Sequence, residues 1–68
     1  MEKLIIDSQE LKEIIFDSFF IKGLNHFNLD IDRIQSSGLR DEFELYLKGS
    51  EEDIEDFISY YHGEIDLP

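Results

Sequence analysis

Residues 41–48 read Asp-Glu-Phe-Glu-Leu-Tyr-Leu-Lys, and this stretch decides the fold. Apolar Phe43, Leu45 and Leu47 alternate with Glu42, Glu44, Tyr46 and Lys48, the period of a strand with one dry and one wet face. Residues 26–35 (His-Phe-Asn-Leu-Asp-Ile-Asp-Arg-Ile-Gln) alternate too, with Phe27, Leu29 and Ile31 on one side and Asn28, Asp30 and Asp32 on the other. Ser36-Ser37-Gly38 between the two runs is a turn signal, so together they predict an antiparallel hairpin.

Downstream, Gly49 ends the strand. Ser50-Glu51-Glu52-Asp53 then resembles a capping box at a helix start, with Asp in place of the usual Glu. Ile54, Phe57, Ile58 and Tyr61 follow at i, i+3, i+4 and i+7, a narrow core-facing stripe. Gly63 suits the left-handed residue after the helix, and His62 sits near the negative end of its dipole. Residues 64–68 read as a short last strand or a tail.

Upstream, residues 3–7 suit a short strand. Ser8 is an expected N-cap for a helix running from Gln9 to Ile21 or Lys22, ended by Gly23. On a continuous wheel Leu11, Ile14, Ile15, Phe19 and Ile21 form one apolar arc. Phe16, Phe20 and Leu24 form a second arc nearly opposite, which is either covered by the loop carrying Phe27 or left as an oligomer interface.

The order β-α-β-β-α, with a last β as an option, is α+β: a small antiparallel sheet with two helices packed on one face, a variant of the ferredoxin-like βαββαβ arrangement. At 68 residues the chain is one domain, 1–68. A domain this size buries only about 60% of its unfolded surface, and without cysteine no disulfide adds to it. The 41% apolar content, six phenylalanines included, argues against disorder. No apolar run is long enough to span a membrane, and Met1, Glu2 and Lys3 do not begin a signal peptide. The reading is therefore a complete cytoplasmic protein.

Seventeen acids against six bases give a net charge of −11. The imbalance is local: residues 1–40 hold seven acids and five bases, residues 41–68 ten acids and Lys48 alone. Such a field disfavours direct nucleic-acid or anionic-membrane binding and favours a basic protein partner. Acidity also confers solubility without any partner.

Catalytic signatures are missing. No serine lies in G-x-S-x-G and no glycine-rich phosphate loop occurs. Asp30-x-Asp32 begins like a calcium loop, but Gln35 stands where glycine is required and Asp41 where glutamate is. His26 and His62 lack metalloprotease spacing. No enzyme, cofactor or metal is expected.

The leading expectation is an acidic inhibitor of the DNA-mimic or phage anti-defence kind. Asp30, Asp32, Glu42, Glu44 and Tyr46 on the hairpin, with Glu51, Glu52, Asp53, Glu55 and Asp56 on the last helix, would occupy a partner's nucleic-acid-binding cleft. One alternative is an immunity protein or antitoxin against a basic toxin such as a nuclease, anchored by Tyr46, Tyr60 or Tyr61. The other is an accessory subunit or homodimer using Phe16, Phe20 and Leu24.

Overall fold

The computed structural model describes residues 3–67. The elements are β1 (Leu4–Asp7), α1 (Ser8–Glu13), a 3₁₀ turn (Ile14–Phe16), α2 (Ser18–His26), β2 (Asp30–Ser36), β3 (Glu42–Lys48) and α3 (Glu51–Tyr61). All strands pair antiparallel in the order β1-β3-β2. β3 therefore lies between two strands joined through helices, a split βαβ unit. The α+β class expected from the sequence is observed. The optional last strand is not: residues 64–67 form no strand, although Leu67 packs partly against the core.

The alternation of β3 works as written. Leu45 and Leu47 are buried and Glu42, Glu44, Tyr46 and Lys48 turn the other way. Leu4 and Ile6 of β1 complete the dry face. Ile14, Phe20, Ile54, Phe57 and Tyr60 cover it from the helical side. Phe20 meets Phe57 edge to face with ring centroids 5.4 Å apart, a favourable aromatic geometry.

The expected first helix is divided, which corrects the wheel. Asp17 has extended backbone (φ −83°, ψ 107°), and its carboxylate accepts a 3.0 Å bond from the Phe19 N–H. It starts a new helix instead of continuing the old one, as a good N-cap residue does. The phase of every apolar residue after it changes. The first cap is also one residue early: Asp7, not Ser8, accepts from the Glu10 N–H at 2.8 Å. Ser8 donates to Asp41 in the hairpin instead.

Gly23 does not end a helix. It lies buried inside α2, where an added Cβ would stand 2.5 Å from the Tyr60 ring and 2.6 Å from the Phe57 ring. Only glycine lets α2 approach α3 so closely. The helix runs on to His26 and closes at Asn28, left-handed at φ 56°. Leu29 N–H bonds the Leu24 carbonyl (2.8 Å) and Asn28 N–H that of Asn25 (3.3 Å), a Schellman motif with asparagine in glycine's usual place. This extension moves the start of β2 from the expected residue 26 to Asp30.

α3 is as expected at both ends. Ser50 Oγ accepts from Asp53 N–H at 3.1 Å and donates to the Asp53 carboxylate at 2.8 Å. Gly63, at φ 81°, closes a second Schellman motif in which Glu64 N–H bonds the Ser59 carbonyl at 2.8 Å.

Candidate interaction surfaces

The expected acidic surface spans two elements, and the two differ. On the outer sheet face Glu42, Glu44 and Asp32 have side-chain partners. Glu44 Oε2 accepts from Lys3 Nζ at 2.6 Å, and its Oε1 accepts from Gln35 at 3.0 Å and from the Tyr46 hydroxyl at 3.1 Å. These bonds hold the Glu44 carboxyl below its ordinary range and the Lys3 ammonium above its own, the Lys3–Glu44 bond being the largest cause in both. Glu42 accepts from Ser37 Oγ at 2.8 Å.

Asp30 stands opposite Lys48 in the ladder, as cross-strand charge pairs do. Asp32 falls in an irregularity between Ile31 and Arg33, where β2 shifts register against β3. Arg33 thereby reaches the outer face, with its guanidinium 4.2 Å from the centre of the Tyr46 ring and 3.4 Å from Asp32. The sheet face is thus a mixed-charge lattice. Tyr46 lies beneath an arginine and is not a free anchor.

The irregularity has a second effect. Ile31 and Ile34, opposite Leu47 and Leu45, face the helical side yet remain 39% and 38% exposed at the sheet margin. Charges and an irregular ladder at such an edge oppose pairing with another strand.

α3 presents the opposite case. Glu51, Glu52, Glu55 and Asp56 are all exposed. At 3.6 residues per turn they share one arc of about 140°, away from Ile54, Phe57 and Tyr60. Among the described residues none of the four has an ion pair or a side-chain hydrogen bond. Glu51 and Glu55, and Glu52 and Asp56, are like charges at i, i+4, which repel. Asp53 is separate: it is half-buried and engaged in the cap.

The tyrosines of α3 are structural. Tyr60 is buried, and its hydroxyl donates to the Phe19 carbonyl at 2.7 Å. Burial raises its pKa. Tyr61 is half-buried and donates to Glu10 at 3.0 Å. Burial first, then Glu10, pushes its pKa up to about 12.

The expected Phe16/Phe20/Leu24 arc does not come together. Phe20 is in the core and Leu24 packs against it, while Phe16 stands 82% exposed in the 3₁₀ turn. Ile15 beside it is 65% exposed and Phe19 38%. Ile15 and Phe19, which share an arc with the buried Ile14 on a continuous wheel, are thus separated from it. The sequence signal for the difference is Asp17-Ser18, a helix start inside an apolar run.

Among the described residues no helix is long and apolar enough to cross a membrane, and no group of three or more metal-ligating side chains occurs. An open hollow at the end of β1, lined by Ile5, Asp7, Glu10, Arg40 and Glu42 among others, mixes both signs of charge with apolar surface. No protein-family model, curated protein or solved structure matches the chain.

Proposed function

We propose that this chain is a cytoplasmic protein-binding inhibitor, not an enzyme. It docks the outer face of α3 on the basic, nucleic-acid-binding surface of a partner protein. What supports the reading is the set of four exposed carboxylates, Glu51, Glu52, Glu55 and Asp56, on one helical arc without an intramolecular cation among the described residues. Their repulsion at i, i+4 is relieved when lysine or arginine side chains enter between them. Of the hairpin carboxylates, Glu44 and Asp32 already have an internal cation and Glu42 a hydroxyl donor, so the sheet face contributes less than the sequence suggested. A field of this sign speeds encounter with a basic protein and weakens as salt is added.

The test is affinity capture from lysate at low and high salt, with wild type and with the E51Q/E52Q/E55Q/D56N variant. The reading expects a basic, nucleic-acid-binding protein that salt releases, that a DNA oligonucleotide displaces, and that the variant fails to retain. A partner held equally by the variant overturns it.

A further inference from the structure

Charge steers encounter, but a fully solvated acidic ridge supplies little lasting affinity, because exposed ion pairs are screened and weak. Specific interfaces add a desolvated apolar anchor inside a polar rim. The fold provides such a feature where α1 gives way to α2. Asp17 stops the first helix, so the 3₁₀ turn throws Ile15 and Phe16 outward, 65% and 82% exposed. Phe16 makes no aromatic pair among the described residues, whereas Phe19, Phe20, Phe27 and Phe57 all do.

The protrusion is tied to the acidic helix. Phe19, three residues after Phe16 and just past the Asp17 break, has its ring centroid 4.2 Å from that of Tyr60, and the Tyr60 hydroxyl donates to the Phe19 carbonyl. Tyr60 is in turn one helical turn, about 6 Å, from Asp56. The apolar projection is therefore joined to the acidic helix through α2, which packs against both the 3₁₀ turn and α3.

We propose that Phe16, with Ile15 and the exposed edge of Phe19, is the apolar anchor by which the molecule seats in a basic protein partner. The proposal rests on the α3 reading above. Charge complementarity selects the occupant. A second copy would bring another −11 molecule against this one, which like-charge repulsion opposes. A partner with lysine or arginine around an apolar pocket meets both surfaces at once.

The test uses two labelled peptides of equal positive charge, an amphipathic helical peptide of leucine and lysine and a plain oligolysine, titrated into wild type and into Phe16→Ser. Because Phe16 is solvent-exposed, the substitution leaves the core intact, which circular dichroism verifies; Ile15→Ser is the second variant. The expected result is about tenfold tighter binding of the amphipathic peptide by wild type, lost in either variant, with oligolysine affinity unchanged. Equal affinity of wild type for both peptides overturns the anchor and leaves the acidic reading standing. Absence of binding by either peptide overturns both. Phe16-dependent dimerisation in sedimentation overturns the anchor in favour of a second copy.

Discussion

Lys3 Nζ lies 2.6 Å from Glu44 Oε2, joining the residue before β1 to the middle of β3. Together with the Arg33–Asp32 pair and the Arg33 guanidinium over Tyr46, this contact offsets much of the acidity of the sheet face. The net charge of the molecule is thereby displayed chiefly by α3 and the residues after it.

The Lys3–Glu44 bridge has a defined pH window. Glu44 has its pKa lowered from 4.5, so its contribution is full above that value and is lost as pH falls through the lower folded value. Lys3 has its pKa raised from 10.5, so its contribution is full below that value and is lost as pH rises through the higher folded one. The stability difference between wild type and Glu44→Gln, measured by urea unfolding, should be greatest near neutrality and shrink at both extremes. A difference that grows in acid would contradict the bridge.

Tyr61 gives a separate alkaline signal. Its neutral form is favoured in the fold, with a pKa pushed up to about 12 from 10.0. Unfolded chains lose that proton first, so stability declines as pH rises from 10 towards 12. Tyr61→Phe should show a shallower decline over that range in thermal melts.

Gly23→Ala should destabilise despite better helix propensity. The propensity gain is about 1 kcal/mol, whereas overpacking against the Phe57 and Tyr60 rings costs about 1–3 kcal/mol and occasionally more. We expect a net loss of up to about 2 kcal/mol by chemical denaturation. If the variant is more stable, α2 and α3 do not pack as closely as described.

Much of this architecture was legible in the chain. The period-2 pattern of β3 and the Ser50 and Gly63 caps of α3 are local signals, and each reads directly from a few neighbouring residues. The rest depended on competition between signals. Gly23 looked like a stop because glycine usually is one, but its role is set by the distant rings of Phe57 and Tyr60. A continuous wheel through residues 9–22 passes over Asp17, whose carboxylate accepts from the Phe19 N–H and starts a new helix. Of the acidic surface, the exposed face of α3 followed from helix periodicity. The neutralisation of Glu44 by Lys3, forty-one residues apart in sequence, did not.

The like-charge pairs of α3 strain the free protein. Glu55→Gln should stabilise it by a few tenths of a kcal/mol, and added salt should stabilise wild type more than the variant. The measurement is the melting temperature of both proteins across a salt series. A Glu55→Gln variant that melts lower would mean that Glu55 has an internal cation.

The most direct measurement compares two variants of identical net charge, E51Q/E52Q/E55Q/D56N on α3 and D30N/D32N/E42Q/E44Q on the hairpin, in calorimetric titration with oligolysine across a salt series. Loss of affinity by about tenfold or more, with a flattened salt slope, in the α3 variant and little change in the hairpin variant is the predicted result. Equal losses in both, or a larger loss in the hairpin variant, would contradict the assignment of the binding face to α3.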